Sequence, residues 1–511
     1  MAPLSLFNKK TMPKRKDWFK LKKYPHIGKR LKESERYTWI EEYVTNPKLI
    51  KRHSFLPLIH RTSKVRKFRK EYSETNGVLL KKPDNKNRVS NGPKEREIYY
   101  ASHLDSLIYS YYSSLISAEY EKSLDNYNLQ DVVTAYRSIP KNSANPIGPN
   151  KCNIDFANDV FNYIRNYDSS EFCVITFDIS SFFDELDHSI LLKNLIEIIG
   201  VEGKLTGDYF NIFKSITRYT YVELVDIFSL FQNSIIVECG RKKRVSKIKY
   251  LKKENAISFC SKKNFIKNKS KLIRNNKYIG DPPELRKKGI PQGSPISSIF
   301  ANLYLLHFDK IINDQLTKYN GIYRRYSDDM VVVCPLNKKD DIIDLFKNEI
   351  QNVKLRIQPH KTQVFIFKRT NEKLVCGEYY SQAINWNKNL SYLGFDFDGQ
   401  YTYLKSSSIS GYYRKMKRTI KRAEHYSKRK TNKNEGEIFK RRILMKYSYK
   451  GAKRRRVWLW SDKHKGFVKS DKYDWGNFLS YGYKASSEMD NNKIRGQLKN
   501  HWKILNKLLP K

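Results

Sequence analysis

Tyr326-Ser327-Asp328-Asp329 places two adjacent carboxylates after an aromatic and a small residue. Apolar runs lie on both sides, Ile322-Tyr323 before it and Met330-Val331-Val332-Val333 after it. A β-hairpin with aspartates at its turn makes a hard-oxygen site of the kind Mg²⁺ takes. A third carboxylate, Asp178, closes the apolar run Phe172-Cys173-Val174-Ile175-Thr176-Phe177. Three such groups can hold the two metals of a nucleotidyl-transfer centre. One metal would acidify a 3′-hydroxyl and the other would neutralise a triphosphate and its leaving group. Any one of these aspartates alone reads as a surface turn residue. Three together, each beside a hydrophobic strand, favour the metal site.

A second constellation is Gly289-Ile290-Pro291-Gln292-Gly293-Ser294-Pro295, which joins a basic stretch to a helical pattern. Two glycines and two prolines impose an unusual loop geometry. Gln292 can then project toward a ligand, and small Gly293 and Ser294 permit close approach of a base or strand. The plain alternative is a loop that starts a helix.

The chain around these groups has 511 residues, enough for two to four structural units at a prior of about 150 residues each. Its formal net charge is +47, from 99 Lys+Arg against 52 Asp+Glu, and the excess is spread along the whole length. Aromatics make up 14%, with 36 Tyr. Dispersed cations interleaved with rings suit phosphate backbones and unstacked bases. Cys152, Cys173, Cys239, Cys260, Cys334 and Cys376 are scattered without a CxxC pair, which argues against zinc or a disulfide scaffold and fits a reducing, cytoplasmic setting. Cys173 and Cys334 are expected in the core. The basic N-terminus has no apolar core of a secretory signal, and no apolar run approaches about 18 residues, so no membrane partner is expected.

Periodicity orders the elements that must carry the site. Tyr24 to Gly28 reads as a turn, Ser34 to Val44 as a helix, Lys64 to Arg69 as a basic strand, Gly77 to Arg88 as a loop and Ile98 to Glu121 as a buried helix. Phe172 to Phe177 reads as a buried strand, and Asp187-His188-Ser189 as the start of the next helix. Residues 240–275 are basic and poor in apolar side chains, either a nucleic-acid loop or a disordered insertion. Helices are expected from Ser297 to Ile312 and from Asp340 to Val353. Leu355 to Phe367 is expected mostly as strand, with a turn at Pro359-His360-Lys361, and Leu390 to Phe397 as a short strand pair. The stretch from 405 to 511 is expected to be basic and mostly helical, anchored by Trp458, Trp460, Trp475 and Trp502. No internal repeat is visible.

Taken together these segments resemble the reverse transcriptase motifs in their family order. Phe177-Asp178, with Phe182-Phe183-Asp184, resembles motif A; Gly289 to Pro295, motif B; Tyr326-Ser327-Asp328-Asp329, motif C; Pro359-His360-Lys361-Thr362, motif D; Ser391-Tyr392-Leu393-Gly394-Phe395, motif E. Lys94-Glu95-Arg96-Glu97-Ile98-Tyr99 is similar to a fingers segment. The resemblance covers about residues 55–398. It implies an α+β right-hand polymerase fold: a basic N-terminal extension at 1–52, fingers at 53–170, palm with fingers elements and the basic insertion at 171–398, and a helical thumb or C-terminal RNA-binding region at 399–511. It implies that Asp178, Asp328 and Asp329, helped by the Ile179 carbonyl, hold two Mg²⁺ ions, with Mn²⁺ as a substitute. Phe183 stands at the steric gate that favours deoxynucleotides, and Gln292 and Gly293 near the incoming nucleotide. Lys361 stands at the motif D proton donor, Lys94 and Arg96 at the triphosphate or template backbone, and Leu393 and Gly394 at the primer grip.

No RNase H carboxylate set, integrase or HNH-type nuclease is evident after residue 398. The chain resembles the bacterial "unknown group" reverse transcriptases of anti-phage defence, through Tyr24 to Gly28, Pro57-Leu58-Ile59-His60 and Ala101-Ser102-His103-Leu104-Asp105. That implies an RNA template, a structured non-coding RNA included, together with dNTPs and a DNA product, and leaves a homo-oligomer open. The alternatives are a retron-type or group II intron-type enzyme of a mobile element and a template-independent or protein-primed DNA polymerase. Two others are an RNA-dependent RNA polymerase, which bulky Phe183 opposes, and a non-catalytic RNA-binding scaffold, which the intact carboxylate set opposes.

Overall fold

In the computed structural model, the residues described are 17–510 apart from 71, 76–77, 82–87, 146–147, 277, 280–283, 359–360, 372, 429–435, 454–455, 462–465 and 474–475. The centre is a six-stranded antiparallel sheet. Its order is Ile322–Tyr326, Asp329–Pro335, Glu171–Asp178, Gln363–Thr370, Lys373–Tyr380 and Ala383–Asn385. The Glu171–Asp178 strand lies inside this sheet and is covered on both faces, which is why its sequence is a continuous apolar run. Period-2 alternation sorts its side chains: Cys173, Ile175 and Phe177 enter one core with Met330, Val332 and Cys334. Phe172 and Val174 enter a second core with Val331, Val333, Phe365 and Phe367.

Helices cover the first face. Ser297–Tyr304 and Leu306–Lys318 follow the glycine-proline loop, and Lys339–Asn352 packs beside them, with Phe346 stacked on Phe177 at 4.1 Å between ring centres. The second face is covered by Asn153–Arg165 and by C-terminal helices including Ser406–Ser427 and Phe478–Glu488. A separate four-stranded sheet carries the long strands Leu58–Lys70 and Arg88–Tyr100. Cys173 and Cys334 are buried register partners with free thiols, Sγ to Sγ 3.4 Å. Among the described residues no helix is long and apolar enough to cross a membrane.

Several sequence expectations are corrected. Ile98 to Tyr100 end a strand, and the helix starts only at His103, where the Ser102 hydroxyl accepts from the Asp105 amide. Tyr24 to Gly28 is not just a turn, since His26–Ile27 pairs in parallel with Ala256–Cys260. Residues 240–275 are neither loop nor disorder. Val245, Leu251, Phe259, Phe265 and Leu272 are too sparse to show a period, yet they share one small core with Ile27 and Ile59. Within Gly77 to Arg88, Val78–Lys81 is a strand, and 82–87 lie outside the described residues. The helix expected from Ser297 to Ile312 breaks at Leu305 and runs on to Lys318. Strand structure after Leu355 begins only at Gln363, and Pro359 and His360 lie outside the described residues. The C-terminal stretch contains the hairpin Arg456–Ser461 and Gly466–Tyr473, so Trp458 is a half-exposed strand residue and not a helix anchor. The side chains of Trp460 and Trp475 lie outside the described residues.

Candidate active site

Strand pairing assembles the carboxylates. Tyr326 and Asp329 are register partners, so the hairpin closes through Ser327 and Asp328 alone. That two-residue turn needs a left-handed residue, and Ser327 takes it at φ +61°. The neighbouring register then sets Asp329 opposite Asp178, although 150 residues of chain separate them. Main-chain bonds tie the ends together: the Ile179 amide donates to the Asp328 carbonyl at 3.3 Å, and the Gln358 amide to the Asp178 carbonyl at 2.8 Å.

The cluster is electrostatically strained toward a cation. Desolvation of the carboxyl by its neighbours pushes Asp329 up to about 6 although the residue keeps solvent contact, and the charges of Asp328 and Asp178 push it the same way, against Lys361 and Lys405. The Lys361 ammonium donates to Asp178 Oδ1. Among the described residues, no three His, Cys, Asp or Glu side chains form a ready coordination shell; one carboxylate of this set is turned to Lys361 instead. The donor chemistry, three hard carboxylates with mutual repulsion, fits divalent cations such as Mg²⁺.

Backbone contacts dock the glycine-proline loop on the segment after Asp178. The Ile290 amide donates to the Phe183 carbonyl at 2.9 Å and the Gly289 amide to the Leu186 carbonyl at 2.8 Å. Phe183 is half-buried, its ring 5.6 Å from that of Phe182. Gln292 is exposed and its carbonyl accepts from the Tyr99 amide at 2.8 Å. Gly293 has φ +118°, and a Cβ there would lie 2.5 Å from the Tyr99 carbonyl oxygen. This contact joins the loop to the Arg88–Tyr100 strand, which also carries Lys94 and the exposed Arg96; the Lys94 side chain lies outside the described residues. Leu393 and Gly394, at φ +45° and +93°, form the tight turn between Leu390–Tyr392 and Phe395–Phe397. Burial raises the Tyr392 hydroxyl above its ordinary pKa, and the charge of Asp329 raises it further.

Sequence reasoning missed the support beneath the turn. Arg325 is fully buried and pairs with Asp309, Nε to Oδ1 2.8 Å and Nη2 to Oδ2 2.6 Å. Its Nη1 donates to the Ser327 carbonyl at 3.3 Å and to the Asn302 side chain at 3.2 Å. Strand alternation between Ile322 and Tyr326 puts Arg325 on the core side, a signal that the basic composition hid.

Residues 244–397 match the family model described as "Reverse transcriptase (RNA-dependent DNA polymerase)". That span holds the loop, Asp328, Asp329, Lys361, Leu393 and Gly394; Asp178 and Phe183 precede it. Among curated proteins, none matches the chain. Solved structures similar to it include telomerase from Candida albicans with a TWJ fragment of telomeric RNA, at 12% identity and TM-score 0.34, over 96% of this chain and 64% of that one. Apo telomerase from Candida tropicalis is similar at 14% identity and TM-score 0.33, over 77% of this chain and 57% of that one. The chain thus spans less than two thirds of these structures' length.

Proposed function

We propose, from the reverse transcriptase domain at residues 244–397, that this chain is an RNA-directed DNA polymerase. The observation that carries the reading is the register pair Asp178–Asp329 with Asp328 at the adjoining turn, which sets three aspartates at neighbouring backbone positions where two strands meet. Asp178, Asp328 and Asp329, with the Ile179 carbonyl, would hold two divalent cations, Mg²⁺ or in its place Mn²⁺. When bound, such ions acidify a primer 3′-hydroxyl and offset the charge of the leaving pyrophosphate.

The chain's own residues position the rest. Lys361 already brings an ammonium to the cluster, where it can pass a proton to the departing pyrophosphate. Gly293, lacking a side chain, lets the loop lie close under the Tyr99 strand, with Gln292 facing the incoming nucleotide. The Phe183 ring sits where a 2′-hydroxyl would clash, which favours dNTPs. Leu393 and Gly394 support the primer end, and Lys94 and Arg96 hold triphosphate or template backbone. In this reading the six-stranded sheet is the palm, the long two-strand ribbon the fingers and the C-terminal helices the thumb.

The template is RNA, a structured non-coding RNA included, and the product DNA. The anti-phage role follows the resemblance of the N-terminal segments; a retron-type, intron-type or protein-primed enzyme is the alternative. Primer extension on an RNA template with dNTPs and Mg²⁺ tests the reading. Extension that stops on chelation of Mg²⁺ supports it. RNA binding without extension under any divalent ion would identify a scaffold instead.

A further inference from the structure

Away from the carboxylates, three segments distant in sequence meet around one concavity. The N-terminal stretch supplies Lys23 and Arg30, the Leu58–Lys70 strand Arg61, and the folded insertion Lys249 and Lys252. They line a cavity of about 670 Å³. Among the described residues, none of these five cations has a carboxylate within ion-pair distance. Other cations of the same segments are neutralised by carboxylates, Lys243 by Glu254 at 2.6 Å, Arg274 by Asp226 at 2.6 Å and Lys64 by Glu95 at 2.6 Å, whereas these five share one cavity in which Glu238 is the lining carboxylate. Convergent unpaired cations repel one another, and a polyanion relieves that repulsion.

The shape narrows the ligand. A second cavity of about 950 Å³ adjoins the first, with Arg30 and Glu238 lining both, and the two together are termed the trough. A single nucleotide would fill only part of it. Tyr24 and Tyr100 line the first cavity, their ring centres 4.7 Å apart, and Leu31, Ile236 and Ile257 line the second. Rings and apolar walls between cations suit unstacked bases, whereas a duplex presents its outer surface as phosphate and sugar.

We propose that this trough binds a single-stranded run of the RNA partner, apart from the strand held at the carboxylate cluster. The proposal rests on the RNA-directed reading above for the identity of the strand. It adds a second contact, which lets the protein keep hold of its RNA while another part is copied.

The test uses full-length protein and a short fluorescent oligouridylate, titrated between about 50 and 200 mM salt. Arg30→Gln, Arg61→Gln, Lys249→Gln and Lys252→Gln are combined. A control combines Lys193→Gln, Lys204→Gln, Lys214→Gln and Lys347→Gln, which remove the same charge from exposed positions off the trough. The trough variant should lose at least about tenfold in affinity, and its salt slope should fall by about 3, from four cations at about 0.7 each on a single strand. The control should move far less. Equal losses in both variants overturn the site, and so does tighter binding of the matching oligodeoxyuridylate by the wild type. If the trough variant misfolds by thermal unfolding, photocrosslinking of 4-thiouridine RNA to the wild type decides: crosslinks at Tyr24 or Tyr100 support the trough, and crosslinks only elsewhere overturn it. Primer extension by the wild type separates the two readings. Binding at the trough without extension removes the polymerase reading alone, and extension with unchanged binding in the trough variant removes the trough alone.

Discussion

Arg325 and Asp309 form a fully buried, bidentate ion pair directly below the Ser327–Asp328 turn. Tyr323 donates a further hydrogen bond to Asp309 at 2.9 Å, and Arg325 donates through Nη1 to the Ser327 carbonyl and to the Asn302 side chain. The two ends of the pair come from the Leu306–Lys318 helix and the Ile322–Tyr326 strand, so it locks the turn to the helices behind the sheet. Removing one partner leaves the other charge buried and uncompensated. Arg325→Leu or Asp309→Asn should therefore cost about 3–5 kcal/mol. Arg325→Lys should rescue little, because a point ammonium cannot span both oxygens and the Ser327 carbonyl. Denaturant unfolding measures this; a change below about 1 kcal/mol would show that the pair is not structural.

Asp328→Ala combined with Asp329→Ala should reduce dNTP incorporation to background while RNA affinity stays near wild type. In the proposed reading the two carboxylates hold the cations and lie apart from the basic surfaces. Incorporation at the wild-type rate in the double variant would refute the metal assignment.

Phe183→Val should raise ribonucleotide use relative to deoxynucleotide use. The ring is half-buried against Phe182, and trimming it opens space without emptying the core. The ratio of kcat/KM for dNTP over rNTP is the readout, and an unchanged ratio would place the discrimination elsewhere.

Gly293→Ala should impair nucleotide use and destabilise the loop. At φ +118° with a carbonyl oxygen 2.5 Å from the new Cβ, the backbone must shift. Strain of this type costs about 1–3 kcal/mol. Raised KM for dNTP together with a lowered unfolding midpoint is expected, and a variant matching wild type in both would show the loop is free to adjust.

Acid should loosen the N-terminal strand through His26. Its Nδ1 accepts from the Ile27 amide at 2.8 Å, and its Nε2 faces the Tyr100 carbonyl at 3.3 Å, so the neutral ring with hydrogen on Nε2 fits. Burial, and then the neighbouring His103, push its pKa from 6.5 down to about 3. Because the folded value is depressed, the stability it contributes is complete above about 6.5 and lost as pH falls toward about 3. His26→Gln should flatten the decline in unfolding midpoint over that window. An identical decline in the variant would assign the effect to other groups.

The chemistry of this protein was legible in its sequence where it depends on neighbours along the chain. The Tyr326–Asp329 turn follows from two apolar runs around a two-residue connection, and the loop from Gly289 follows from its glycines and prolines. Periodicity also showed the Phe172–Phe177 strand, because a strand buried on both faces must be apolar throughout. It did not show that residues 240–275 fold, since their few apolar side chains come together only when the His26–Ile27 strand joins them.

The residue types at the site were thus set by the sequence alone; their meeting was decided by tertiary structure. Asp178 reaches Asp329 through strand register, Lys361 reaches Asp178 across the sheet, and Arg325 finds Asp309 inside the core. No period in the sequence encodes these pairings. They arise because burial of the central strand's faces specifies its register with its neighbours, and that register sets Asp178 opposite Asp329.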